Sequence, residues 1–158
     1  MFPSGLRPAP RIVAVDYGSR RVGLAMTDGL GLGAHPVGTF PPDGALARLH
    51  RVAAEEGLTA LVLGWPLNDD DAEGPAVERV RPFLGRLRNA FPGLPVVTFD
   101  ERDTSREAAA ALHAAGRRKA VRRNKGLLDA AAACVLLERY LEEIESARSV
   151  LWASDNGG

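Results

Sequence analysis

A single cysteine, Cys134, is all the thiol in this sequence, so no internal disulfide can staple it and a reducing compartment suits it. Aromatic residues are scarce, at 6% of 158 residues, and net charge is nil, with 20 basic against 20 acidic side chains. A zero balance gives no global sign of a polyanionic partner. No apolar run approaches the roughly 18 residues that a membrane-spanning helix needs. The start, MFPSGLRPAPR, lacks the apolar core of a secretory leader. The expected setting is therefore the cytoplasm, away from any membrane. Missing too are a GxxxxGKS/T phosphate loop and any serine or cysteine nucleophile motif. The histidines, His35, His50 and His113, are scattered, none with a Cys or His partner at metal-ligand spacing.

What is present is an average globular composition, 46% apolar and 25% charged, at a length that suits one domain with a core of its own. Charge is unevenly spread. Arg117, Arg118, Lys119, Arg122, Arg123 and Lys125 form a basic stretch with no acid among them, while acids gather at Asp69–Asp71 and between Glu138 and Glu145.

Hydrophobic periodicity predicts short strands at Arg11–Val15, Val22–Met26, within Gly33–Phe40, at Thr59–Leu63 (closed by Gly64) and at Val96–Phe99. Helices are predicted over Gly44–Glu56, after the Pro41–Pro42 break, and from Pro75 to about Phe91. Another runs from a Thr104–Glu107 capping box through Ala115, and the last covers Leu128 to about Ser146. Strands first, then helices alternating with strands, imply an α/β domain: a mixed sheet with helices packed on its faces. One domain over 11–147 is expected, with flexible flanks at 1–10 and 148–158.

Three acids stand where apolar elements end. Asp16 follows the run VAV and precedes Tyr17–Gly18, a place where the chain can turn or approach a ligand closely. Arg20 and Arg21 follow with fork donors suited to phosphate oxygens. The plain alternative is a hairpin with a polar turn. Asp100 and Glu101 end the run VVTF, and strand alternation puts them on opposite faces, so one of the two reaches a shared site. Arg102 reads equally as a partner neutralising a neighbouring carboxylate. Asp129 lies among Leu and Ala at a helix start, where an unpaired buried charge is costly, although the helix dipole alone would favour an acid there. Hard divalent cations take such oxygen ligands, and two ions about 4 Å apart promote in-line displacement at a phosphodiester. The basic stretch beside Asp129 would add phosphate contacts. Asp69, Asp70 and Asp71 are consecutive loop acids pointing different ways, a pattern that is usually solvated.

At these residues the sequence resembles the YqgF family, also called RuvX, proposed Holliday junction resolvases of the RNase H-like superfamily. The likeness runs from about Arg11 to Leu141 through four blocks in order: VAVDYGSRRVGLAMTD, LVLGWPLNDDDAEGPAVERVRPF, VVTFDERDTSREA and LLDAAAACVLLERYL. It implies an RNase H-like fold, a mixed five-stranded sheet flanked by helices, and a metal-dependent nuclease site. Carried over by position, catalysis and metal ligation fall on Asp16, Glu101 and Asp129, which favours Glu101 over Asp100. Mg²⁺ or Mn²⁺ is the implied cofactor. Two departures from the family pattern are NDDD, where a Met-Asp-Gly element is more usual, and Asp103 in place of an apolar residue. Arg20, Arg21 and the basic residues from Arg117 to Lys125 are expected to contact nucleic acid.

Two roles follow from the resemblance: trimming the 5′ end of precursor 16S ribosomal RNA, which a monomer can do, and cutting four-way DNA junctions, which needs a homodimer. RNA is favoured over branched DNA. Two other classes stay open. An actin-like or sugar-kinase nucleotide-binding protein shares the strand–Asp-x-Gly opening, although 158 residues leave no second lobe. A non-catalytic ribosome-assembly module would use the basic stretch alone.

Overall fold

In a computed structural model, placement is described for residue 9 and for residues 11–18, 20–116 and 125–156, with the side chains at 105, 125 and 152–156 excepted. Five strands form one sheet: β1 (Arg11–Tyr17), β2 (Val22–Thr27), β3 (Ala34–Phe40), β4 (Leu58–Trp65) and β5 (Val96–Asp100). Their order is β3-β2-β1-β4-β5. The first three make an antiparallel meander, and β4 and β5 add in parallel beside β1. This is the expected mixed five-stranded sheet flanked by helices.

Helices α1 (Pro42–Glu55) and α2 (Pro75–Ala90) carry the crossovers from β3 to β4 and from β4 to β5. Both crossovers advance the same way along the sheet, so right-handed connections put both helices on one face. That face holds the larger core. Val13, Val15, Leu24, Leu61 and Leu63 meet Leu49, Val80, Phe83 and Leu87, all buried. Each such side chain contributes about 1.5–3 kcal/mol by leaving water. Helices α3 (Thr104–Ala114) and α4 (Lys125–Asn156) lie across the other face. There the strands present small residues, Ala14 and Ala25, to Ala133, Leu136 and Leu137 of α4.

Several element ends differ from expectation. Pro42 does not break structure but occupies the first helical position of α1, where a missing N–H costs nothing. Strand β4 runs through Gly64 to Trp65 rather than stopping at the glycine. The Thr104–Glu107 capping box does not form. Asp103, at φ 64°, is the N-cap without a side-chain bond, and Thr104 Oγ1 donates back to the Glu101 carbonyl at 2.8 Å. Glu107 instead accepts a hydrogen bond from Arg139 of α4. Helix α4 starts earlier and extends ten residues past Ser146, to Asn156, so the stretch expected as a frayed tail is helical through 156. Except for residue 9, the expected flexible segment 1–10 lies outside the described residues, as do 117–124 of the basic stretch.

Candidate active site

Side chains along a strand alternate between the sheet's two faces. Val13, Val15 and Tyr17 join the α1–α2 core, so Asp16 shares the opposite, α4, face with Ile12 and Ala14. On β5, Phe99 belongs to the α4 face, and Glu101 follows it there, while Asp100 turns away. The alternation expected for Asp100 and Glu101 is what the structure contains.

Two glycines make room on this face. Gly23 pairs with Asp16 across β1 and β2. A Cβ at position 23 would collide with the Asp129 carbonyl and lie 2.9 Å from the Ala130 nitrogen, so glycine is what lets α4 rest on the sheet. Gly64, paired with Phe99 on β5, does the same for a side chain. A Cβ there would run into the Glu101 carboxyl, with Cδ at 2.7 Å. A glycine inside an apolar strand signals such a close approach, whereas Gly64 was expected to close its strand and Gly23 was given no role.

The room is filled by acid. Asp16 is only 8% exposed, and its carboxyl is in hydrogen-bonding contact with that of Glu101. Glu101 Oε2 is buried with no hydrogen-bond donor on the protein. Burial, then the Asp16 charge, pushes the Glu101 carboxyl up to about 10. Burial also raises Asp16, its contact with Glu101 offsets part of this, and the Asp129 charge adds to it. Two carboxyls so placed share one proton near neutrality. Asp129, half-buried on the first turns of α4, is raised by burial and drawn back by the Arg21 guanidinium.

All three acids line one cleft of about 570 Å³ at the C-terminal ends of β1, β4 and β5. They are not equally close. Asp16 and Glu101 touch, whereas among the described residues no three Asp, Glu, His or Cys side chains converge tightly enough to hold one ion. Asp129 faces the pair across the cleft. The oxygen-only donor set, with a buried Glu101 oxygen that no donor satisfies, fits a hard divalent cation.

Arg20 and Arg21 are exposed in the β1–β2 turn, where the Gly18 N–H donates to the Arg21 carbonyl at 2.8 Å. Arg117, Arg118, Lys119, Arg122 and Arg123 lie outside the described residues, and of Lys125 only the backbone, at the start of α4, is described. Arg102 takes the role of a neutralising partner. Its guanidinium donates to Asp100 at 2.6 and 2.8 Å, meets Asp71 at 2.7 Å and reaches the Asn68 carbonyl at 3.3 Å. It thereby ties the loop after β4 to the end of β5, beside Glu101. Asp69 and Asp70 are exposed.

The Arg102 bonds hold the Asp100 carboxyl below its ordinary value of 3.8. An acid so lowered stabilises the fold above that ordinary value, and the contribution is lost as pH falls through its folded value. Arg102→Ala is thus expected to lower the melting temperature at pH 7 by a few degrees. Its deficit against the wild type should shrink below pH 3.8. A deficit independent of pH would mean that Arg102 acts through packing alone.

The cleft also has an apolar wall that the sequence reading missed, made by Tyr17, Pro66, Leu67, Val80 and Pro82. These residues come from three separate stretches of chain, Tyr17 from the first family block and the other four from the second, and no local pattern joins them.

Comparison with known proteins places the chain. The family model described as RuvX, Holliday junction resolvase, matches residues 10–143. A protein of Chlorobium luteolum named "Putative pre-16S rRNA nuclease" is 49% identical over 138 residues, covering 87% of this chain and 98% of that one. A protein of Salinibacter ruber with the same name is 40% identical, covering 87% and 96%. Among solved structures, T. thermophilus RuvC in complex with Holliday junction substrate superposes with a TM-score of 0.49 at 15% identity, over 85% of this chain and 96% of that one. On the family match and on identities of 40–49% along most of its length, this chain belongs to the RuvX family of Holliday junction resolvases.

Proposed function

We propose that this protein is a nuclease that hydrolyses phosphodiester bonds with divalent ions, Mg²⁺ or Mn²⁺, held by Asp16, Glu101 and Asp129. The observation that carries the reading is the buried Asp16–Glu101 pair, which has no protein donor for Glu101 Oε2 and faces Asp129 across an open cleft. When bound, two such ions would supply Lewis-acid stabilisation of the phosphate and acidify a water molecule.

The chain's own residues do the rest. Asp16, on the central strand, is the group both other acids influence, so it would be the central ligand of the set. Asp16 and Glu101 hold one proton between them in the metal-free protein and release it as the ligands become fully charged. Gly64 and Gly23 keep the acids and α4 at close range. Arg21, whose charge already acts on Asp129, together with Arg20 and the basic stretch from Arg117 to Lys125, would hold the flanking phosphates.

The substrate proposed is RNA, the 5′ end of precursor 16S ribosomal RNA, in line with the names of relatives that match over most of the chain. The family description favours a second reading, cleavage of four-way DNA junctions, for which a homodimer would bring two sites to one junction. Either role is proposed for the cytoplasm. Among the described residues no helix is long and apolar enough to cross a membrane.

The deciding experiment offers labelled single-stranded RNA, single-stranded DNA and a four-way junction side by side, with Mg²⁺ or Mn²⁺. RNA cleavage that a chelator stops is the expected result. No cleavage of any of the three would overturn the nuclease reading. Cleavage of the junction alone would replace RNA with branched DNA.

A further inference from the structure

The cleft straddles the end of the sheet. Its acids belong to the α4 face, while Tyr17, one residue after Asp16, belongs to the α2 face and packs its ring on Phe83 at 4.8 Å between centroids. Pro66 and Leu67, directly after β4, and Pro82 of α2 extend this apolar surface, with the buried Val80 beneath it. Apolar area at the mouth of an acidic site is not needed to hold a cation or a phosphate. At about 570 Å³ the cleft is large for an ion, and it falls within the roughly 300–1,000 Å³ of ligand pockets.

The same side carries a cation. Arg79 is exposed on α2, lines the cleft, and makes no side-chain hydrogen bond or ion pair among the described residues. The other arginine lining the cleft, Arg102, is engaged by Asp100 and Asp71. Glu78 beside Arg79 is taken by Arg81. Helix α2 opens at Gly74 without a side-chain cap, and Ala76 of its first turn also lines the cleft. Its free N–H groups add to the anion-binding character that Arg79 establishes.

We infer that the α2 side of the cleft is a nucleotide subsite: Tyr17, Pro66, Leu67 and Pro82 take an unstacked base, and Arg79 takes the phosphate beside it. The inference rests on the nuclease reading and narrows its substrate class to an unpaired strand. A strand drawn across the sheet's end turns its backbone to the acids and its base to the apolar wall. A base paired in a duplex has its faces stacked and its edge bonded, and cannot make that turn. Aromatic and apolar platforms hold splayed bases of any identity, so the subsite would read single-strandedness rather than sequence.

Binding is measured with the full chain in a chelator, so that strands stay intact, using a fluorescent single-stranded RNA, the same RNA annealed to its complement, and versions with one abasic position walked along it. The single strand is expected to bind more tightly than the duplex, and one abasic position to weaken it roughly tenfold. Tyr17→Ala should weaken the intact strand by a similar factor and leave the abasic strand unaffected. Arg79→Ala should weaken every strand and reduce the salt slope by about one phosphate contact. The abasic walk uses the unaltered protein, so it decides even if Tyr17→Ala misfolds. Equal binding of intact and abasic strands at every position overturns the base subsite. Adding Mg²⁺ to the same strands separates the two readings. Abasic strands bound and cut like the intact one remove the subsite and leave the nuclease. Base-dependent binding with no cleavage removes the nuclease instead.

Discussion

Replacing Asp16 by asparagine is expected to lower cleavage about a thousandfold or more while making the metal-free protein harder to melt. The two effects have one origin. Asp16 and Glu101 are carboxyls pressed together in a buried place with no donor for Glu101 Oε2, an arrangement that only a proton or a cation relieves. An amide in place of either acid removes the repulsion and supplies an N–H. For a domain of this size each kcal/mol relieved raises the melting temperature by about 2–4 °C.

The pH dependence gives the sharper version. Glu101 is raised from 4.5 to about 10 on folding. A raised acid stabilises fully below its unfolded value, and that stability is lost as pH rises through the folded one. The metal-free wild type should therefore lose ground to Glu101→Gln steadily between about pH 4.5 and 10. Adding Mg²⁺ should reverse the order, because the ion binds the wild type and displaces its proton. Melting curves across pH, with chelator and with Mg²⁺, check both halves. A gap between the two proteins that ignores pH, or a wild type indifferent to Mg²⁺, contradicts the assignment of these acids as ligands.

Two glycine-to-alanine changes should separate fold from site. At Gly23 the added methyl meets main chain, the Asp129 carbonyl and the Ala130 nitrogen at 2.9 Å, so α4 must lift from β2. Overpacking of cores typically costs about 1–3 kcal/mol, and obstacles that are backbone put Gly23→Ala at or beyond the upper end. A fall in melting temperature of about 6–12 °C is expected. At Gly64 the obstacle is the Glu101 carboxyl, with Cδ at 2.7 Å and Cβ at 3.3 Å, a side chain that can swing aside. Gly64→Ala should keep the fold, melt within a few degrees of the wild type, and lose about a hundredfold or more in cleavage. Full activity in Gly64→Ala would show that the Asp16–Glu101 contact is dispensable.

The strands were legible, and so were acids at their ends, because an apolar run that ends in a carboxylate is a local pattern; alternation put Asp100 and Glu101 on opposite faces, and the family resemblance favoured Glu101. Gly23 and Gly64 were not legible as site residues. Their meaning lies in what crosses over them, Asp129 at a separation of about a hundred residues in one case and Glu101 in the other. The capping box at Thr104 failed for a local reason: the Thr104 hydroxyl bonds to the Glu101 carbonyl, and the cap position falls one residue earlier. Helix α4 outran its predicted end because every residue from Glu145 to Leu151 is exposed, Val150 and Leu151 at 66% each. Periodicity sees a helix only through the stripe it buries. The apolar wall escaped because β1, the loop after β4 and α2 each contribute one or two residues to it.

The acids enter the cleft from the first strand, from just after the fifth, and from the helix that follows every other element. Closing such distant contacts is entropically slow, and a chain leaves the ribosome N-terminus first. A half-made molecule thus carries Asp16 and Glu101 while Asp129 has yet to be added. On the proposed assignment the set of acids is complete only when α4 settles over Gly23, so the last step of folding would be the one that arms the site.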